Sequence, residues 1–194
     1  MSQTTRFLIG LFIIIALAFL DQWSKWYIIE MYFRPRDFYA EGASLDFWSW
    51  LTTMAQERFP PYQIEITSFF NFVMVWNKGV SFGMFASTHS FMPYALMIMA
   101  LALTIFFIIW LWRSTSLLAA LPLAMVISGA LSNVWDRARF GAVADFLDFH
   151  VAGYHWPAFN IADSCIVLGV AGLALHTLFS AKDNTTGNTV SDQV

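Results

Sequence analysis

Four stretches of this chain are long and apolar enough to cross a bilayer, and they constrain the fold more than any other feature. They run from about Phe7 to Ile29, Pro93 to Trp112, Leu117 to Trp135 and Phe159 to Phe179. Each has roughly the 20 residues needed to span a hydrocarbon core of about 30 Å as a helix. Only 12% of the residues are charged, about half the roughly 25% usual in soluble domains. The mean hydropathy of +0.59 agrees. The expected class is an all-α membrane protein: four transmembrane helices in a single membrane-embedded domain over residues 1–194.

The ends of the spans carry their own signals. Pro93 sits where a first-turn proline is tolerated, with Ser90 just upstream. Arg113 and Lys182 close the second and fourth spans, and the polar tail 183–194 is expected to be disordered. Arg6, the apolar run Phe7–Ile15 and the small residues Ala16–Ala18 together imitate a cleavable secretory signal. The apolar pattern nevertheless continues through Trp23, Trp26, Tyr27 and Ile28, and Asp21 and Lys25 fall i, i+4 on one face. A retained first helix is therefore expected.

The loop 30–92 is the one large segment outside the spans. Ser44 is a candidate cap for a short interfacial helix carrying Phe47, Trp48, Leu51 and Met54 on one side, with an irregular loop as the alternative. After Pro60-Pro61 the texture becomes β-branched and aromatic, "IEITSFFNFVMVW", which predicts one or two strands. "NKG" (77–79) reads as a turn before "VSFGMF" (80–85), and "GAVADFLDF" (141–149) is a further strand candidate.

Alternation of four spans brings the polar residues at membrane depth to one side. Asp21 and Lys25 lie in the last third of span one, and Asn133, Asp136 and Arg137 at the end of span three. Asn160 and Asp163 open span four, and the loop bearing Asn77 and the strand candidate bearing Asp145 fall on that same side. An ionisable group at such depth is costly and marks a functional site by default. Convergence on one layer strengthens that reading.

The chemistry narrows by elimination. No HExxH pair, GxSxG elbow or glycine-rich phosphate loop occurs, and the four histidines (89, 150, 155, 176) lack metal-ligand spacing. Ser24 and Lys25 are adjacent, so on a helix they diverge by about 100° and make a poor dyad. Four carboxylates remain, Asp136, Asp145, Asp148 and Asp163. Two of them held close at low dielectric would share a proton, one activating water while the other polarises a carbonyl. Such a site needs no cofactor and no metal. The competing class is a small transporter or channel subunit, in which the same residues would line an ion path.

The residues also carry a family resemblance. "DQWSK" (21–25), "NKGVSFGMF" (77–85), "GALSNVWDRARFGAVADFLDF" (129–149) and "FNIAD" (159–163) resemble, in order, the motifs of the lipoprotein signal peptidase (signal peptidase II) family. The resemblance covers about residues 7 to 180. It implies a bacterial enzyme with four membrane helices and a small extracytoplasmic β-element. It further implies removal of signal peptides from prolipoproteins just before a diacylglyceryl-modified cysteine, with inhibition by globomycin. By motif match the catalytic pair is Asp145 and Asp163. The insert 34–61 is longer and more aromatic than the family pattern.

The remaining residues receive more modest expectations. For Asp145 and Asp163 the alternative is a structural role as a helix cap or a partner of Arg137. Asn133 and Arg137 are expected to scaffold the site or to donate to a substrate carbonyl, and Asn160 to orient Asp163. Asn77 and Gly79 are turn residues or ligand contacts, and Asp21 and Lys25 an intrahelical pair bordering the site. Asp136 is expected to pair with an arginine, and Asp148, opposite Asp145 on an extended strand, to be solvated. His150, His155 and the interfacial tryptophans read as belt anchors, and Cys165 as a small core residue. Positive charges divide between Arg6, Arg113 and Lys182 on one side and Arg34, Arg36, Arg137 and Arg139 on the other, so they do not orient the chain. The resemblance places it in the bacterial inner membrane with the site at the extracytoplasmic interface. Expected partners are prolipoproteins carrying a diacylglyceryl cysteine and membrane lipids. A net charge of -3 gives no reason to expect nucleic acid, and a monomer is expected.

Overall fold

A computed structural model describes residues 1–34, 43–54, 58–79 and 92–191. Helix α1 (Gln3–Tyr27) leads into a wider π-helical turn (Ile28–Phe33), then α2 (Phe47–Thr52) and the strands β1 (Gln63–Thr67) and β2 (Phe70–Asn77). Helices α3 (Met92–Arg113) and α4 (Leu117–Phe140) follow, then β3 (Val143–Val151), β4 (Tyr154–His155) and α5 (Ile161–Ser191). The four membrane-crossing segments are Gln3–Phe33, Pro93–Arg113, Leu117–Phe140 and Ile161–Phe179. Spans one and three thus outrun the expected ends at Ile29 and Trp135, because polar Glu30, Asp136, Arg137 and Arg139 find partners inside the protein and the helix need not stop for water. Helix α5 also continues through polar residues of the expected tail as far as Ser191. The segment 80–91, with the "VSFGMF" candidate, His89 and Ser90, lies outside the described residues, as do 35–42, with Arg36, and 55–57.

Helix α4 is the hub, packed on α1, α3 and α5. Its small residues allow the close approach that substitutes in lipid for a hydrophobic driving force. A Cβ at Gly129 would come within 2.3 Å of the Ala162 carbonyl oxygen, so only glycine lets α5 cross there. Leu123, Ala124 and Ile127 pack with Ile14 and Leu111 to fill the bundle. Phe12 and Ile15 on α1, Ile98 and Ile105 on α3, and Val167 and Leu168 on α5 are exposed and face lipid.

The sheet has the order β1-β2-β3-β4, antiparallel throughout. A bulge lies between Phe72 and Val75, and β2 meets β3 from Phe70↔Phe149 to Asn77↔Val143. The β3–β4 hairpin turns through Ala152 (φ 51) and Gly153 (φ 81), the two left-handed positions of a tight hairpin turn. Phe159 and Leu147 exchange backbone bonds at 3.1 and 2.9 Å, so the sheet is laced to the start of α5. A second apolar cluster, with Ile29, Phe33, Trp50, Met74 and Phe146, fills the space between sheet and helix ends.

The expected short helix forms, as α2, but is capped differently from expectation. Asp46 Oδ1, not Ser44, accepts the Trp48 and Ser49 amides at 3.0 and 3.1 Å. An N-cap must directly precede the first turn to reach those amides, which Asp46 does and Ser44 does not. Trp48 and Met54 are exposed, while Trp50 is the buried residue of the helix. Asn77 closes β2 rather than opening a loop, and its Oδ1 takes the Gly79 amide at 3.0 Å.

Candidate active site

The start of α5 explains how a carboxylate is kept beside hydrocarbon. Asn160 precedes the first helical residue, and its Oδ1 accepts the Asp163 amide at 2.9 Å. Asp163 Oδ2 in return accepts the Asn160 amide at 3.3 Å. This reciprocal capping satisfies donors that every helix start leaves open, and the helix dipole favours a negative charge there. "FNIAD" is therefore a helix-start signal as well as a source of chemistry.

Asp145 reaches the same place from β3. It is buried, with Oδ1 accepting from Asn160 Nδ2 at 2.8 Å and Oδ2 from Asn77 Nδ2 at 3.1 Å. Asn133 Nδ2 donates to Asp163 Oδ1 at 2.8 Å. Three asparagines from β2, α4 and the start of α5 thus hold two carboxylates. Burial, and next the charge of Asp163, push the Asp145 carboxyl up to about 8, against the opposing pull of the Asn77 bond, the Lys25 charge and the Asn160 bond. At neutral pH Asp145 holds a proton.

Arg137 forms no ion pair with either aspartate among the described residues. Its guanidinium donates to the carbonyls of Gly79 (3.0 Å) and Asn133 (3.3 Å), leaving Nε without a hydrogen-bond partner among the described residues. Asn77, Asn133, Arg137 and Asp163 form the polar end of a cavity of about 220 Å³ whose other walls are apolar, from α3, α4, α5 and Val143 of β3. A groove of about 370 Å³ lies on the other side of Asp163, between Trp156–Phe159 and the lipid face of α5. The site therefore opens to apolar space on two sides.

Asp21 and Lys25 pair as expected, at 2.7 Å, but the pair is a triad. Lys25 Nζ is equally close, 2.7 Å, to Asp136. Asp136 therefore pairs with a lysine, not an arginine: one position before Arg137, it points about 100° away from that side chain and toward α1. Asp148 is not solvated. It is buried and accepts from Asn71 Nδ2 and His155 Nδ1, each at 2.8 Å. Alternation does turn it away from Asp145, but Asn71 across the sheet and His155 from the returning β4 close over it. His155 thus serves Asp148 and stacks on His150 (4.7 Å). Cys165 is buried, as expected.

Two residues escaped the sequence reading. Gln22 Nε2 donates to Asp136 Oδ1 at 2.8 Å, and Arg139 donates to Gln22 Oε1 at 3.2 Å. Arg139 also donates to the Trp50 carbonyl and stacks its guanidinium 4.0 Å from that ring, pinning α2. Gln22, an amide beside Asp21 inside an apolar run, carried the signal that would have found it.

Four membrane-crossing helices with a carboxylate–amide cluster at one end define a multi-pass membrane protein. The family model for signal peptidase (SPase) II matches residues 13–179. A lipoprotein signal peptidase of Methylocella silvestris is 48% identical over 124 residues, 64% of this chain and 72% of that protein. One of Anaplasma marginale is 35% identical over 179 residues, covering 90% and 88%. A bacterial membrane enzyme solved in meso at 1.9 Å superposes with a TM-score of 0.62 at 22% identity, over 88% of this chain and 92% of that one. The chain belongs to the signal peptidase II family and is a membrane protease of that family, which sets aside the transporter alternative.

Proposed function

We propose that this protein removes signal peptides from prolipoproteins just before a diacylglyceryl-modified cysteine, with Asp145 and Asp163 as a proton-sharing catalytic pair. The observation that carries the reading is that Asn160 donates to both carboxylates, from its side chain to Asp145 and from its backbone amide to Asp163, with apolar space on either side of Asp163. Asp163, held by Asn133 and the Asn160 amide, takes a proton from water as the water oxygen bonds to the scissile carbonyl carbon. Asp145 gives its proton to the carbonyl oxygen. On collapse the C–N bond breaks, Asp163 passes its proton to the leaving amine nitrogen, and Asp145 recovers one from the hydroxyl that reverts to a carbonyl. Arg137 and Asn133 stand at the cavity end to position the peptide.

The substrate's acyl chains would deliver its peptide bond to this depth, at the extracytoplasmic interface of a bacterial inner membrane. Both aspartates and all three asparagines come from one chain, so a monomer suffices. The test is cleavage of a diacylated lipobox peptide by purified protein. Asp145→Asn and Asp163→Asn should each abolish cleavage while the peptide still binds, and EDTA should have no effect. Near-native turnover by either variant, or inhibition by EDTA that zinc reverses, overturns the assignment.

A further inference from the structure

Behind the paired aspartates, two other buried carboxylates repeat one relationship. Asp136 Oδ2 accepts the backbone amide of Ala144 at 3.2 Å, and Asp21 Oδ1 accepts the backbone amide of Ala162 at 2.8 Å. Ala144 directly precedes Asp145, and Ala162 directly precedes Asp163. The two gripping carboxylates are not independent. Lys25 stands 2.7 Å from each, and Gln22 Nε2 reaches Asp136 at 2.8 Å and Asp21 at 3.3 Å. One side-chain cluster from α1 and α4 therefore holds the backbone just before each of two aspartates that lie on different elements.

A buried lysine with two buried carboxylates is expensive to desolvate, and apolar packing would often be at least as stable. We propose that Asp21 and Asp136, locked by Lys25 and Gln22, are positioning residues that set the separation of the Asp145 and Asp163 carboxyls through the preceding amides. The inference rests on the catalytic reading of that pair. Neither residue touches substrate; each acts through a backbone N–H. Separation matters because it sets how strongly one carboxylate resists ionisation of the other.

The charged groups around Asp145 are Asp163 from α5, Lys25 and Asp21 from α1, and Asp136, Arg137 and Arg139 from α4. Neutralising Asp136 or Asp21 unmasks the Lys25 charge, which already favours ionised Asp145. A looser pair would also repel less. Both effects move the basic limb of the pH–rate profile to lower pH.

The experiment compares Asn and Ala at each position, in the full-length protein in detergent micelles with a diacylated lipobox peptide. Asp136→Asn and Asp21→Asn keep an oxygen for the amide, whereas the Ala variants do not. The Ala variants should lose about 10²-fold in kcat, the effect of misplacing reacting groups by about 1 Å. The Asn variants should lose about tenfold, with KM unchanged and the basic limb moved to lower pH. Should an Ala variant fail to fold, the Asn variants and their pH profiles decide. Equal losses in Asn and Ala variants, an unmoved basic limb, or a loss confined to KM and thermal stability would overturn the inference. Its failure is separable from failure of the catalytic reading, which Asp145→Asn and Asp163→Asn test directly.

Discussion

Asn160 presents Nδ2 to Asp145 at 2.8 Å while its Oδ1 receives the Asp163 backbone amide at 2.9 Å, so one side chain both starts α5 and ties the Asp145 carboxyl to the turn that carries Asp163. The two jobs separate by mutation. Asn160→Ser retains a good N-cap but cannot span to Asp145. Thermal stability should fall by no more than about 1 kcal/mol, typical of one modest hydrogen bond, while kcat falls at least about tenfold. Loss of folding in parallel with activity would show that the cap alone matters.

Asp148 shares β3 with Asp145 but serves the hairpin. It accepts from Asn71 and from His155 at 2.8 Å each, and is buried. Asp148→Asn keeps one acceptor and should leave turnover within about twofold, with a stability loss of about 1–2 kcal/mol for the missing charge-assisted bond. Asp148→Leu leaves Asn71 without its acceptor and should cost more. Turnover and thermal unfolding in one detergent check both, and a large fall in kcat for Asp148→Asn at unchanged stability would contradict the assignment.

How much of this was legible in the sequence follows from what each signal depends on. The spans were readable because hydrocarbon imposes length and composition residue by residue. Asp145, Asp163, Asn77, Asn133 and Asn160 were readable from motifs and from alternation of the spans, and they meet as that alternation requires. The partners of Asp136 and Asp148 were not. Each is chosen by the rotation of α4 against α1 or by the return of β4 over β3, which local patterns do not encode. The cap of α2 was misplaced by two positions because Ser44 and Asp46 are both competent caps, and only packing of Trp50 fixes which turn is first.

Gly129 lies where α4 meets the first turn of α5. A Cβ there would stand 2.3 Å from the Ala162 carbonyl oxygen and 2.7 Å from Ile166 Cγ1. Backbone cannot rotate aside as a side chain can, so Gly129→Ala must push the start of α5 away from α4. Asp163 moves with it and stretches its bond from Asn133. Overpacking of this kind costs about 1–3 kcal/mol, and kcat should fall about 10²-fold. Gly10→Ala is the comparison. Its Cβ would meet Leu111 Cδ atoms at 3.0 Å, a flexible side chain remote from the aspartates, so activity should stay near native. Equal effects of the two substitutions would sink the argument.

The proton on Asp145 ties stability and activity to pH. Burial and the charge of Asp163 raise this carboxyl to about 8 in the folded protein, whereas an unfolded chain gives about 3.9. Between those values the unfolded state releases a proton that the folded state keeps, so stability declines as pH rises from about 4 to about 8 and is flat on either side. Asp145→Asn removes the titrating group. Its thermal midpoint should exceed that of the parent at pH 7–8, and the difference should vanish near pH 4. Turnover by the parent should fall above about pH 8, where Asp145 can no longer give a proton to the carbonyl oxygen. Unfolding midpoints and kcat measured from pH 4 to 9 in one detergent would read both. A midpoint difference that is constant across that range would mean that Asp145 titrates as an ordinary carboxylate and does not hold the shared proton.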